Sequence, residues 1–179
     1  DVDKENFNID LEDLKRKISK KTKALMLIHV LGNSTNMEKL VKILKRKKII
    51  LIEDTCESIG AKYKNFFLGT FGDFSTFSFY FSHQISSVEG GMICCKNRED
   101  ENIIKSLRSH GWAKDLSNQK KIENKFKKIN KKFLFINSGF NFRPTDIQAA
   151  IGLSQFNSLD DFIKIRKINR DKITKKLVL

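Results

Sequence analysis

The segment Gly69–Gly91, GTFGDFSTFSFYFSHQISSVEGG, decides how the chain is expected to fold. Its first residues are typical of a glycine-rich turn, its middle is an aromatic run typical of a buried strand, and it closes on Glu89-Gly90-Gly91. Ser78 and His83 follow where the apolar run ends. Open α/β sheets bind ligands at the carboxyl ends of parallel strands, so both residues are candidates for a site. A lone histidine is more often a hydrogen-bonded turn residue, so His83 needs support from the rest of the chain.

The residues before this segment predict a β-loop-α-β unit. Ala24–Val30 is typical of a buried strand, Asn36 begins an amphipathic helix, and Ile49–Ile52 is a second buried strand that ends on Glu53 and Asp54. The near-continuous apolar character of both strands predicts helices on both faces. A right-handed crossover and parallel pairing follow from this order. The fold class is therefore α/β, with a mostly parallel sheet.

The other predicted elements alternate between strands and helices. They are a helix from Asp10 to about Lys20, a hairpin at residues 62–67, a strand Phe74–Phe79, a strand Gly91–Cys95, and helices at Arg98–Ser109, Thr145–Phe156 and Leu159–Lys176. In the helix Arg98–Ser109, residues Ile103, Ile104 and Leu107 are expected inside. The lysine-rich segment Gly111–Asn137 is interpreted as an excursion or a partner-facing segment.

Charge and composition limit the classes of function. The formal net charge of +14 permits nucleic-acid binding. The lysines are spread through nearly every predicted helix and turn, however, so we expect no nucleic-acid partner. Cys56, Cys94 and Cys95 have no metal-ligand spacing, which favours reduced thiols in a cytoplasmic protein and no metal site. No apolar run of about 18 residues predicts a membrane span.

Four polar residues are placed at the ends of two predicted strands. Asp54 and Glu57 come after one strand, and Ser78 and His83 after the other. A buried aspartate can keep the pyridine nitrogen of pyridoxal phosphate protonated, and a serine hydroxyl can donate to a phosphate. The same residue types also serve as helix caps and ion-pair partners. Spacing alone leaves both interpretations open.

Several ordered blocks of the sequence resemble the DegT/DnrJ/EryC1/StrS sugar aminotransferase family. They are His29–Asn33, Ile52–Ser58, Gly69–Asp73, Ser78–Tyr80, Glu89–Met92, Arg108–Trp112 and Gly139–Ala150. The resemblance implies the large domain of a fold type I pyridoxal-phosphate-dependent transferase and a cytoplasmic homodimer with shared active sites. Residues 1–158 are then expected to form part of that domain, and residues 159–179 to begin a helix leading to a small C-terminal domain. Since residue 1 is not a methionine, we expect an internal piece of a longer chain, which by itself binds cofactor poorly and is inactive.

The sequence departs from the family pattern at His83. Typical members have a lysine there that attaches the cofactor covalently, which imidazole cannot do. The substitution resembles the branch of 3-dehydratases that act on nucleotide-linked 4-keto-6-deoxysugars, and it implies a noncovalently held pyridoxal or pyridoxamine phosphate. One type in this branch has a cysteine cluster for an iron–sulfur centre. Gly111–Asn137 contains no cysteine, so no iron–sulfur cluster is expected.

The resemblance also implies a role for each candidate residue. His83 would remove a proton from the C4′ carbon of the cofactor, and Asp54 would pair with its pyridinium nitrogen. Glu57 would lie near its ring hydroxyl, Ser78 would contact its phosphate, and Asn141 would reach the phosphate bound by the neighbouring subunit. The substrate would be a nucleotide sugar, with glutamate as amino donor. A nucleotide-sugar aminotransferase and a noncatalytic family member are the alternatives.

Overall fold

The computed structural model describes residues 1–177 of the 179-residue chain. The elements are α1 Leu11–Lys17, β1 Ala24–Ile28, α2 Met37–Lys47, β2 Ile50–Asp54, β3 Lys62–Tyr63, β4 Phe66–Phe67, β5 Phe74–Ser78, β6 Gly91–Cys95, α3 Arg98–Arg108, α4 Gln119–Lys125, α5 Asp146–Phe156 and α6 Leu159–Leu177. They form two compact units. We call residues 1–94 together with helices α5 and α6 the sheet unit, and residues 95–145 the excursion unit.

The main sheet has the strand order β1-β2-β5-β6. Strands β1, β2 and β5 are parallel, and the register places Ile28 beside Asp54 and Asp54 beside Thr76. The prediction of an α/β fold with a mostly parallel sheet is confirmed. Because the three parallel strands point the same way, their carboxyl ends and the loops that follow them meet at one edge.

Helix α2 covers one face of this sheet. Asn36 caps the helix by accepting a hydrogen bond from the Lys39 backbone N–H, as predicted, and Lys48 ends it in the left-handed conformation with φ 54°. The apolar positions of α2 recur at helical spacing and meet the alternate side chains of β1 and β2. The buried core consists of Leu14, Leu27, Met37, Leu40, Leu44, Ile49, Leu51 and Leu68.

The opposite face of β1 and β2 is more accessible in the described residues. Met26 is 57% exposed and Ile28 is 54% exposed, whereas Leu27 between them is 1% exposed. Asp54 and Thr76 have the same strand parity as Ile28 in the paired register. The candidate site residues at the strand ends therefore share the accessible face.

Several strands and helices begin or end at other residues than predicted, because tertiary contacts override the local sequence pattern there. Strand β1 ends at Ile28 rather than Val30, because Val30–Gly32 forms a short 3₁₀ turn in which Leu31 has φ 52°. Helix α1 ends at Lys17 rather than Lys20, since Ile18 is extended. Strand β2 begins at Ile50 rather than Ile49, and it includes Glu53 and Asp54, on which it was expected to end.

In the excursion unit, Ile103 of α3 is 51% exposed, contrary to the expectation that it lies inside. Segment 111–137 has its own small core of Ala113, Leu116 and Leu134, next to helix α4. Gly111 has φ 88°, and a Cβ built there would lie 1.7 Å from the Asn137 carbonyl oxygen. The segment is thus ordered by a close backbone approach that only glycine permits.

No helix within residues 1–177 combines the length and the apolar character needed to cross a bilayer.

Candidate active site

Asp54, Thr76 and Ser78 lie on one face of the sheet at the carboxyl ends of β2 and β5. Asp54 is the last residue of β2 and pairs in register with Thr76, and Ser78 ends β5 two residues further on. Since side chains two apart along a strand point to the same face, the carboxylate and both hydroxyls point to the same side. All three residues are half-buried. The parallel register thus brings two of the predicted site residues, Asp54 and Ser78, to one location.

The Asp54 carboxylate is oriented by the turn that follows β2. Its Oδ1 accepts a hydrogen bond from the Cys56 backbone N–H at 3.1 Å. The Cys56 thiol packs 3.8 Å from the Thr76 hydroxyl, and burial, aided by Asp54, raises the pKa of this thiol to about 11. A thiol with this pKa stays protonated and neutral at pH 7. Within residues 1–177 no lysine or arginine forms an ion pair with Asp54, so its carboxylate is free to bind a cationic group of a ligand.

Glu57 lies in the same turn and is exposed. Its Oε2 accepts a hydrogen bond from the Leu31 N–H at 3.1 Å, in the 3₁₀ turn after β1. Beside it, the Ser58 hydroxyl donates to the His29 carbonyl oxygen at 2.5 Å. These two contacts join the loops that follow β1 and β2. Within residues 1–177 no hydrogen bond to the second carboxylate oxygen of Glu57 is described, and the role expected for Glu57 stays a prediction.

His83 is half-buried in the loop that follows β5. Its backbone N–H donates to the Tyr80 carbonyl at 3.1 Å, and its ring meets the Tyr80 ring edge-to-face with centroids 6.1 Å apart. Ser78 Oγ accepts a hydrogen bond from the Tyr80 N–H at 3.2 Å. A hydroxyl that accepts in this way keeps its own hydrogen to donate, which suits an anionic oxygen of a ligand.

Glutamine side chains fix the loop that carries His83. The Gln84 amide donates through Nε2 to the Glu57 carbonyl oxygen at 2.5 Å. From helix α5, Gln155 accepts the Ser86 N–H at 2.7 Å, and Gln148 donates to the Glu89 carbonyl at 2.9 Å. The sequence pattern did not indicate a role for any of these three glutamines, because their partners are backbone groups 27, 69 and 59 residues away along the chain.

Glu53 does not belong to this site, although the sequence places it beside Asp54 at a strand end. Its side chain is on the covered face, 0% exposed, where it accepts hydrogen bonds from His29 Nε2 at 2.8 Å and from the backbone N–H groups of Gly69, Phe71 and Gly72. Burial would raise the pKa of the Glu53 carboxyl, but the bonds from His29 and from the glycine N–H groups hold it below its ordinary value. Strand alternation was the signal that could have separated Glu53 from Asp54.

Asn141 lies in the excursion unit. It is exposed, and its backbone forms an isolated antiparallel bridge with Ser109. Its predicted contact with a neighbouring subunit's cofactor stays a prediction, as do the roles of His83, Asp54, Glu57 and Ser78. In residues 1–177, no cluster of three or more His, Cys, Asp or Glu side chains could hold a metal ion.

The mostly parallel sheet, with a carboxylate, hydroxyls and an imidazole around the carboxyl ends of its strands, makes this an α/β protein, and its fold matches solved structures of pyridoxal-phosphate-dependent enzymes of the aminotransferase family. The chain belongs to the DegT/DnrJ/EryC1/StrS aminotransferase family, whose sequence profile matches residues 1–178. The resemblance seen in the sequence blocks is thereby confirmed.

Similar proteins include both dehydratases and synthases of GDP-linked sugars. The chain is 37% identical to the GDP-4-keto-6-deoxy-D-mannose 3-dehydratase of Escherichia coli O55:H7, over 96% of this chain and 45% of that protein. It is 34% identical to the GDP-perosamine synthase of Escherichia coli O157:H7, over 93% of this chain and 41% of that protein. A solved structure of Escherichia coli GDP-4-keto-6-deoxy-D-mannose-3-dehydratase with bound hydrated pyridoxal phosphate matches with a TM-score of 0.87 and 38% identity, over 96% of this chain and 44% of that chain. The chain thus spans less than half the length of these relatives.

Proposed function

We propose that the chain forms part of the cofactor-binding domain of a pyridoxamine-phosphate-dependent 3-dehydratase, which removes the C3 hydroxyl of a nucleotide-linked 4-keto-6-deoxysugar. The observation that carries the proposal is His83, which stands where typical family members have the cofactor-binding lysine. Similarity to two kinds of GDP-sugar enzyme supports a GDP-linked substrate. Residues 1–158 are proposed to belong to the large domain, and residues from 159 onward to lead towards a smaller one.

The residues at the strand ends fit a pyridoxal or pyridoxamine phosphate. Asp54 offers a carboxylate without a protein cation partner in the described residues, which suits a pyridinium nitrogen. Ser78 keeps a hydroxyl hydrogen for a phosphate oxygen, and Glu57 has a free carboxylate oxygen near the same strand ends. When bound, the cofactor supplies an amino group and an electron sink. The carboxylate of Asp54 would keep the pyridinium nitrogen of the cofactor protonated, so that the ring stays electron-withdrawing.

His83 is proposed to move the proton on which loss of the C3 hydroxyl depends. Imidazole exchanges protons readily near neutral pH and is the side chain most often used as a general base. It cannot attach a carbonyl cofactor, so the cofactor would be held by noncovalent contacts alone. The half-buried ring, packed against Tyr80, would limit the access of water to that proton.

The proposed protein is a cytoplasmic homodimer that takes its amino group from glutamate. Asn141 would extend from one subunit to the phosphate held by the other, so that each site contains residues of both subunits. The chain spans less than half the length of its relatives, so we propose this substrate, donor and dimer for the full-length protein.

An aminotransferase is the second candidate, because a GDP-perosamine synthase is among the relatives at 34% identity. In that case a lysine elsewhere in the protein would have to bind the cofactor, since residue 83 is a histidine. A noncatalytic family member is the third reading, and it predicts no turnover of any nucleotide sugar.

The test uses the full-length protein and a His83→Lys variant. Each is incubated with pyridoxal phosphate, reduced with borohydride and examined by mass spectrometry, and turnover of GDP-4-keto-6-deoxymannose with glutamate is assayed in parallel. We expect a covalent pyridoxyl adduct at residue 83 only in the variant, with sugar deoxygenation only in the wild type. A specific lysine adduct in the wild type would support the aminotransferase, whereas no turnover of either kind would support the noncatalytic reading.

A further inference from the structure

We propose that Gln84 is a positioning residue that sets the location of His83 relative to the end of β2. The inference rests on the proposed function, in which His83 moves a proton. It begins with one contact: Gln84 Nε2 donates to the Glu57 carbonyl oxygen at 2.5 Å, across 27 residues of sequence. Because a carbonyl oxygen only accepts, the amide nitrogen must be the Gln84 atom that faces it.

The other end of the Gln84 amide shows that stability alone does not explain this residue. Its Oε1 is buried and has no hydrogen-bond partner within the described chain. A buried acceptor left unpaired destabilises the folded state, and a leucine of similar size would fill the space without that cost. The chain nevertheless has a glutamine here, so the donated bond from Nε2 is the feature that distinguishes Gln84 from an apolar residue.

The contact between Gln84 and Glu57 joins the loop that carries His83 to a turn that other hydrogen bonds hold in place. Glu57 lies in the turn three residues after Asp54, and that turn is joined to the loop after β1 by the bonds Leu31–Glu57 and Ser58–His29. By contrast, the contacts that His83 itself makes are local, to Tyr80 in its own loop. Gln84, the next residue along the chain, therefore connects the loop of the imidazole to the two loops that follow β1 and β2. Loss of this bond would leave the imidazole present and its loop held by Gln155 and Gln148, but no longer tied to the end of β2.

The experiment compares three variants of the full-length protein. Gln84→Leu removes the donor and keeps the size. Gln84→Glu keeps the shape but regains a donor only when its carboxyl is protonated, which burial opposite a carbonyl oxygen favours at mildly acidic pH. Gln119→Leu is the matched control, because Gln119 donates through Nε2 to Glu123 at 2.9 Å within the excursion unit. Turnover and amide hydrogen exchange without any ligand are measured for each.

For Gln84→Leu we expect kcat to fall by about 10- to 100-fold, since small misplacement of a catalytic group has effects of this size. KM for the sugar should change by less than about threefold, because a residue that positions His83 affects the proton transfer rather than substrate binding. Hydrogen exchange should rise in residues 79–90 and stay unchanged in β2 and β5, and Gln119→Leu should leave both readouts as in the wild type.

For Gln84→Glu we expect the ratio of its kcat to that of the wild type to increase as the pH falls from about 8 to about 5.5. The ratio for Gln84→Leu should stay flat, and dividing by the wild-type value removes any pH dependence common to both proteins, including that of the neighbouring groups Glu57 and His83. Unchanged kcat in Gln84→Leu, equal losses in kcat and substrate affinity, or faster exchange throughout the sheet would overturn the inference. If the wild type turns over no sugar, the proposed function fails, while hydrogen exchange in residues 79–90 still decides whether Gln84 holds the loop.

Discussion

The adjacent carboxylates of Glu53 and Asp54 have opposite roles because a strand directs successive side chains to opposite faces. Asp54 points to the accessible face, and the partners described for its carboxylate are the backbone N–H and the thiol of Cys56, so it can still bind a ligand. Glu53 points to the covered face and accepts four hydrogen bonds, from His29 and from three backbone N–H groups at residues 69–72. One carboxylate is therefore available for chemistry, and the other holds the turn that precedes β5.

Glu53→Gln should destabilise the protein strongly. The amide would direct N–H groups at backbone donors and leave some of them unpaired, at a cost of about 2–4 kcal/mol in the free energy of unfolding. Urea unfolding of the full-length protein at pH 7 measures this loss in the free energy of unfolding. Glu38→Gln, which removes a surface ion pair to Lys64, is the matched control and should have little effect. Equal small losses in both variants would contradict the structural role of Glu53.

The same contacts make this stability depend on pH. Because folding lowers the pKa of Glu53 from its ordinary value of 4.5, its contribution is fully present above that value and is lost as the pH falls through the folded value. The difference in unfolding free energy between wild type and Glu53→Gln should therefore be constant near neutral pH and should shrink below about pH 4.5. A difference that grows on acidification would contradict the assignment.

At the scale of elements, the sequence pattern predicted the strands, caps and turns that depend on residues close together in the chain. The structure has the predicted strands β1, β2 and β5, the Asn36 cap of α2 and the β3–β4 hairpin, which follow from side-chain periodicity and backbone preference. The 3₁₀ turn Val30–Gly32 could not be predicted in this way. Its left-handed Leu31 is held by the Glu57 carboxylate, a contact that forms only once β1 and β2 are paired.

The excursion unit is likewise ordered by a contact between residues far apart in sequence, the close approach of Gly111 to Asn137. A substitution of Gly111 tests this. Gly111→Ala places a Cβ 1.7 Å from the Asn137 carbonyl oxygen at a φ of 88°. We expect a loss of more than about 2 kcal/mol, the sum of left-handed strain and a backbone clash. Hydrogen exchange should rise across residues 105–142. Gly32→Ala is the control, because its φ is 82° but the nearest atom lies at 3.9 Å, so it should show strain alone and a smaller loss.

At the scale of the whole molecule, the site was predictable in part. His83, Asp54 and Ser78 follow strand ends in the sequence, and the parallel register brings Asp54 and Ser78 to one face. Gln84 and the glutamines of α5 were not predictable, since each acts on a backbone group far away in sequence. Asn141 belongs to the excursion unit, whereas these residues belong to the sheet unit. Its predicted role depends on a second subunit.

That role can be tested by mixing inactive variants of the full-length protein. In a two-fold symmetric dimer with shared sites, a hybrid of His83→Asn and Asn141→Ala subunits contains one site with both native residues and one with neither. Random reassembly of equal amounts makes half of the dimers hybrids, so activity should return to about a quarter of the wild-type value. A mixture of His83→Asn with Asp54→Asn is the control, because both residues would serve the same subunit's site and no native site forms. If the first mixture also stays inactive, Asn141 does not act across the dimer.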